Sequence, residues 1–324
     1  MEITKNKSED LITHNTAQNY VPVEWKIMIE DIKGRIIASG DKEDATVEEQ
    51  LAMIDQLIRF EFGRFLLTNQ GVNGFWTQYM ALYPQWSKNP ENQSKITAFE
   101  KWMLESLPTI RATQERFRLF QKVIQNFINK HSSRNLMLMS IPCGMMDDLL
   151  TLNFPRDRSV QLIGIDLDPN SVKGAAENAK RLGLAESAEF YQMNAWEMRV
   201  EEQCDLLTSN GLNIYEKEDD KIIELYRKFY QALKPNSLLV TSFLTPPPML
   251  STASPWEMDK INPKHLLGQK IIFSYILQAK WQCYRTEAQT LAQLKAAGFN
   301  NVQFIYDEYK MFPTVVAVKG VVNE

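Results

Sequence analysis

The sequence predicts an α/β fold in which a mostly parallel sheet follows a helical extension, and three observations carry that expectation. Apolar residues recur at three- and four-residue steps through the first ~130 residues. From Leu136 short apolar runs alternate with helical stretches, the pattern of βα units. The last two β-rich runs are joined by a connection too short for a helical crossover, so they pair antiparallel. With 324 residues the chain can form two domains, or one domain with a large extension. Hydrophobic residues make up 44% and charged residues 23%, which excludes a disordered chain, a collagen and a coiled-coil rod. The net charge of -4 leaves no basic excess for neutralising phosphates, which argues against nucleic acid as a partner.

Residues 1–20 are polar and read as a frayed tail. Thr46 and Glu49 make a capping-box pair, after which Val47, Leu51, Ile54, Ile58, Phe62 and Phe65 draw one apolar stripe. The run Gly71-Val72-Asn73-Gly74 breaks it, and a short aromatic helix with Phe75, Trp76, Tyr79, Met80 and Leu82 runs to Pro84. Thr97 with Glu100 opens a further helix, and the stripe Thr113, Phe117, Phe120, Ile124 and Phe127 ends in the polar cluster at His131 to Asn135. A boundary follows near residue 130, giving a helical extension or lid over 1–130 and a sheet domain over 131–324.

Within the second part, strands are expected at Leu136 to Ser140, Val160 to Asp166, Glu189 to Met193, Asp205 to Ser209 and Leu238 to Phe243. Helices fall at Asn170 to Leu182, Asp219 to Leu233 and Thr286 to Ala297, closed by Gly183, Pro235 and Gly298 respectively. Val302 to Tyr306 and Thr314 to Val318 are the final pair of strands. Residues 245–284 form an insertion between a strand and the last helix, long enough to act as a second cover over a site. The three cysteines, Cys143, Cys204 and Cys283, form no CxxC and have no histidine at metal-ligand spacing, so the reading is a reducing compartment and no metal. With neither a signal-like apolar segment nor ~18 uninterrupted apolar residues, the expectation is a cytoplasmic protein that does not enter the membrane.

A parallel sheet binds ligands beyond the carboxyl ends of its strands, which directs attention to the turns there. The first runs from Ser140 to Asp148 and contains Gly144, whose missing side chain lets backbone approach a ligand; it also serves as a plain turn glycine. Asp166 ends the second strand 22 residues after Gly144, close to the spacing at which a carboxylate accepts from a ribose diol. Asp168, before Pro169, reads instead as a turn and helix-start residue. The third strand tip offers Asn194 for an adenine edge, with Trp196 either stacking on the ring or packing in the core. The fourth ends in the polar run Thr208-Ser209-Asn210-Gly211-Leu212-Asn213-Ile214-Tyr215.

These stretches, IGIDLDPNSV, EFYQMNAWEM and CDLLTSNGLNIY, together with FYQALKPNSLLVTSFL and RTEAQTLAQLKAAGF, resemble the class I S-adenosylmethionine-dependent methyltransferases, in particular stand-alone bacterial enzymes with a helical N-terminal extension. The resemblance covers about Asn135 to Lys319. It implies a Rossmann-like seven-stranded sheet with the last strand antiparallel, S-adenosylmethionine as cofactor and S-adenosylhomocysteine as product. It places Gly144 under the methionine part, Asp166 at the ribose hydroxyls, Asn194 with Ala195 at the adenine, and Ser209 and Asn210 on the methyl-transfer side; Ser140, Cys143, Leu167 and Trp196 complete the expected cofactor contacts. Two positions depart from the family: the first turn has one glycine, flanked by Pro142 and Met146, and Asn194 stands where the family has an acid.

Methyl transfer from a sulfonium is an in-line displacement that needs alignment, exclusion of water and at most one proton acceptor. The Asn-Pro-Pro-Tyr type motif of amide and base methylation is absent, Ser209-Asn210-Gly211-Leu212 standing in its place. The expectation is therefore a small-molecule acceptor. The alternatives are a protein methyltransferase or an interaction protein of this fold without turnover, and an NAD-type oxidoreductase, which a wrong terminal strand pair would require. Trp76, Tyr79, Asn213 and Tyr215 are candidates for the acceptor pocket, although the aromatics of the extension read more readily as helix-on-helix core. His265 is the candidate base, since His14 and His131 lie in a tail and a linker. Arg285 flanks the start of the last helix or meets an acceptor carboxylate.

Overall fold

The computed structural model describes residues 24–279 and 283–320. The expected tail at 1–20, His14 and Trp281 of the insertion lie outside the described residues. The N-terminal part is helical: α1 (Trp25–Ser39), α2 (Val47–Leu57), α3 (Glu61–Asn69), α4 (Gly74–Ala81), the single turns α5 (Tyr83–Trp86) and α6 (Pro90–Gln93), α7 (Ala98–Ser106) and the long α8 (Pro108–Lys130). The capping box before α2 forms as read, Thr46 Oγ1 accepting from the Glu49 N–H at 3.1 Å and Glu49 Oε2 from the Thr46 N–H at 2.8 Å. The stripe from Val47 to Phe65 is two helices rather than one. They meet so closely that a Cβ on Gly63 would lie 2.1 Å from the Leu57 carbonyl oxygen.

The rest alternates strands with helices: β1 (Asn135–Ser140), α9 (Asp147–Leu150), β2 (Ser159–Asp166), α10 (Pro169–Arg181), β3 (Ala188–Gln192), β4 (Cys204–Ser209), α11 (Asp219–Ala232), β5 (Leu233–Ser242), α12 (Pro263–Lys270), α13 (Glu287–Ala296), β6 (Asn301–Ile305) and β7 (Thr314–Val318). The seven strands lie in the order β3-β2-β1-β4-β5-β7-β6, with β7 antiparallel to both neighbours and the others parallel, as the short final connection requires. Period-two alternation splits each central strand between two cores. Leu138, Leu206 and Val240 face α8 and α10, while Met139, Leu207 and Leu239 face α11 and α13. Strand order turns back between β1 and β4, which opens a crevice at the carboxyl ends there.

Two of these helices bind the extension to the sheet. Phe120, Ile124 and Ile128 of α8 are fully buried on Leu136, Leu138 and Val240, so the second half of that helix belongs to the sheet's own core. The insertion folds the other way: Ile271, Ile272, Ile276 and Leu277 pack into the helical cluster with Ile36, Leu57 and Met103. Arg35 donates to the carbonyls of Tyr275 and Ile276, and Lys270 pairs with Asp44 at 2.6 Å. The insertion is thus joined to the extension. No helix among the described residues is long and apolar enough to cross a membrane.

Candidate active site

At the carboxyl ends of β1 to β4 a cavity opens, about 1320 Å³ of space between the protein atoms when the open solvent at its mouth is included. Its floor is the turn after β1. Gly144 has φ +51° and Met146 φ 58°, so the turn takes the left-handed conformation twice with one glycine. Met146 bears that conformation, which ordinarily costs roughly 1–2 kcal/mol, while its side chain lies buried beneath the turn. This is how the turn dispenses with a second glycine. The Ile141–Pro142 peptide is cis.

Asp166 holds that turn in place. Its Oδ2 accepts from the Gly144 N–H at 2.8 Å and its Oδ1 from the Asp168 N–H at 3.0 Å, so one carboxylate ties the first turn to the second. Burial pushes its pKa up to about 6, against the pull of those two N–H groups. Asp168 caps α10 as read, accepting from the Asn170 N–H at 2.9 Å and from Ser171 Oγ at 3.1 Å. Asp148 is buried and accepts from Thr208 Oγ1 at 2.6 Å and Ser140 Oγ at 3.1 Å, locking β1 to β4. Asp147 differs from it. Oδ2 accepts from Gln78 Nε2 at 2.6 Å, but Oδ1 is buried with no hydrogen-bond partner. Burial raises the Asp147 carboxyl to about 7, the Gln78 bond opposing and the charge of Asp148 adding to it.

The roof is α4. Its positions 74, 77, 78 and 81 share one face and line the cavity, whereas Trp76, Tyr79 and Met80 face the helical core. Gly74 makes this possible, since a Cβ there would meet Gly144 Cα at 2.9 Å and Ser171 Oγ at 2.7 Å. Gly74→Val should therefore lower stability by about 1–3 kcal/mol and weaken nucleoside binding, because backbone cannot give way as a side chain can. Gly34→Ala, at an exposed helical glycine with nothing within 4 Å, is the control expected to leave binding unchanged and to raise stability by about 0.5–1 kcal/mol.

Of the residues expected to touch the cofactor, Ser140, Cys143, Gly144, Asp166, Leu167, Asn194, Ala195, Trp196 and Asn210 all line this one cavity. Ser209 does not: it is buried in β4, where its carbonyl accepts from Thr241 Oγ1. Asn194 Oδ1 caps the turn that follows, accepting from the Trp196 N–H at 3.2 Å. Trp196 uses its indole N–H on the Lys221 carbonyl. Burial, together with the charge of Asp166, raises the Cys143 thiol well above its ordinary range.

The acceptor candidates fare differently. Tyr215 lines the cavity, but Trp76 is stacked on Phe62 at 5.1 Å and Tyr79 donates to Glu100 at 2.8 Å, both in the helical core. Asn213 is buried behind the β4 tip, donating to Tyr226 Oη and the Ser242 carbonyl. His265 lies beside Trp102 on α12, outside the cavity lining. Arg285, 3% exposed, donates to the carbonyls of Asn213 and Glu216 and so fixes the loop after β4; it is not among the residues lining the cavity. The sequence reading missed the roles of Gln78 and Asp147, and did not single out Arg116. Polarity on one face of an otherwise apolar helix was the available signal for the first and the last.

Comparison with known proteins agrees with this architecture. Residues 113–249 match the model of the RMKL-like methyltransferase domain, which thus begins inside α8. A protein from Bordetella parapertussis, described as a possible exported protein, is 39% identical over 92% of this chain and 96% of its own, with a TM-score of 0.85. Slighter likenesses join the chain to a Methanosarcina mazei S-adenosylmethionine-dependent methyltransferase (15% identity, 61% of this chain and 97% of that one, TM-score 0.44) and to Burkholderia thailandensis 1,6-didemethyltoxoflavin-N1-methyltransferase (15%, 64% and 79%, TM-score 0.43). No curated protein matches. The methyltransferase domain thus spans β1 to β5 of a sheet whose last strand runs antiparallel, and over its length the chain belongs to one family with the Bordetella parapertussis protein.

Proposed function

We propose that this enzyme methylates a small molecule held between the β4 tip and helices α4 and α8, in the cytoplasm. The observation that carries the reading is one cavity lined both by carboxylates at the strand tips and by apolar side chains of α4, α8 and the loop after β4. Asp147, Asp166 and Asp168 line it near β1 and β2, whereas Ala81, Leu82, Phe117 and Leu212 line it elsewhere. Those carboxylates, as acceptors, fit a cofactor carrying a vicinal diol, an ammonium and a sulfonium. When bound, S-adenosylmethionine supplies an electrophilic methyl group.

The chain's residues do the rest. Asp166 accepts from the ribose hydroxyls while holding the Gly144 turn, and Leu167, Asn194, Ala195 and Trp196 flank the base. Asp147, with an unpartnered buried oxygen, receives the ammonium of the methionine part. Helix α4 excludes water and Asn210 faces the reacting end. On this reading 1–130 closes the site and 131–324 carries the transfer, with α8 shared between them and 245–284 bracing the extension. The test is turnover of labelled S-adenosylmethionine on fractionated cell extract. Label in the small-molecule fraction is expected; label confined to protein would overturn the reading.

A further inference from the structure

Arg116 is the one feature of the cavity that the cofactor does not account for. It projects from α8 into the lining and is 6% exposed, with its guanidinium carbon 4.4 Å from the centre of the Phe312 ring. Its Nε is buried with no hydrogen-bond partner. The adjacent Glu115 does not neutralise it, being engaged with Arg118 and the Glu308 N–H. Asp307, whose charge bears on Arg116, spends Oδ1 on the N–H groups of Tyr309 and Met311 and Oδ2 on that of Phe312. Burial pulls the Arg116 pKa down to about 10, so it remains a cation at neutral pH.

Asp307 supplies a nearby countercharge, but the buried Arg116 Nε–H still lacks an acceptor, and an anion in the cavity would provide one. The place of Arg116 in the fold says what that anion is. Phe312 precedes β7, and Ala112, one turn earlier on α8, packs on Phe312 and Leu244 at the β5 and β7 rim. Asp166 ends β2, four strand spacings away, or roughly 19 Å at ~4.8 Å each. The short amino-acid arm of the cofactor, starting from a ribose at Asp166, does not bridge that separation. The same cavity is also lined by Ala81, Leu82, Phe117, Leu212 and Tyr215. Resting on the small-molecule reading, we propose that the acceptor is an apolar molecule bearing a carboxylate, and that Arg116 binds that carboxylate through the planar fork of its guanidinium.

The full-length protein saturated with S-adenosylhomocysteine can be titrated calorimetrically with octanoate and with the neutral octanamide. Octanoate should bind at least tenfold more tightly than octanamide, Arg116→Met should remove that preference, and Arg116→Lys should retain part of it. Arg116→Met keeps a side chain of similar length, and an unchanged S-adenosylhomocysteine affinity would report that the variant folds. Equal binding of the two probes, or of octanoate to wild type and Arg116→Met, would overturn the proposal. So would a loss of S-adenosylhomocysteine affinity in Arg116→Met, which would assign Arg116 to the cofactor's own carboxylate. Because the small-molecule reading is judged by turnover on extract, the two can fail separately.

Discussion

Replacing Asp166 with alanine should weaken S-adenosylhomocysteine binding about a hundredfold. A charge-assisted hydrogen bond is worth about 1.5–3 kcal/mol, and each 1.4 kcal/mol is about tenfold in affinity. The upper part of that range applies because the same carboxylate accepts from Gly144 and Asp168, so its removal also frees the turn that approaches the cofactor. Asp166→Asn keeps one acceptor oxygen and should fall between. Calorimetry that finds Asp166→Ala as tight as wild type would mean that the ribose lies elsewhere.

Asp147→Asn should make the ligand-free enzyme more stable at pH 8 and leave it unchanged near pH 4. The folded-state pKa of Asp147 is raised to about 7, chiefly by burial, above an unfolded value of about 3.9. Below about pH 4 the group is neutral in both states and costs nothing. As pH rises toward 7 the unfolded chain releases the proton first, so wild-type stability declines and the loss is complete above about pH 7. At ~1.4 kcal/mol per unit, the asparagine variant gains at most roughly 4 kcal/mol at pH 8. Its affinity for S-adenosylhomocysteine should fall, since the ammonium loses its charged partner. Thermal unfolding against pH, with and without ligand, checks both; parallel curves for the two proteins would contradict the assignment.

Most of the sheet was legible because its signals are local. Gly183 and Gly298 end helices, and the Asp307 to Pro313 connection is too short for anything but an antiparallel return. The strand-tip half of the cavity was legible for the same reason, since Gly144, Asp166 and Asn194 sit at strand tips. The half under α4 and α8 was not, because helical spacing marks the apolar face that is buried but does not say what the opposite face meets. Trp76 and Tyr79 attract attention by their chemistry, yet an aromatic stripe is what a helix buries in its own core. The face opposite them, with Thr77 and Gln78, forms the roof. His265 drew notice only as a histidine, and the insertion that carries it turns toward the extension.

The central claim is that a nucleoside lies in the cavity over β1 and β2, anchored by Asp166 and roofed by α4. A crystal structure with S-adenosylhomocysteine tests it most directly. The ribose hydroxyls should lie within hydrogen-bonding distance of the Asp166 carboxylate, with the amino group at Asp147 Oδ1. Density for the nucleoside outside this cavity, with Asp166 bonded to Gly144 and Asp168 alone, would contradict it.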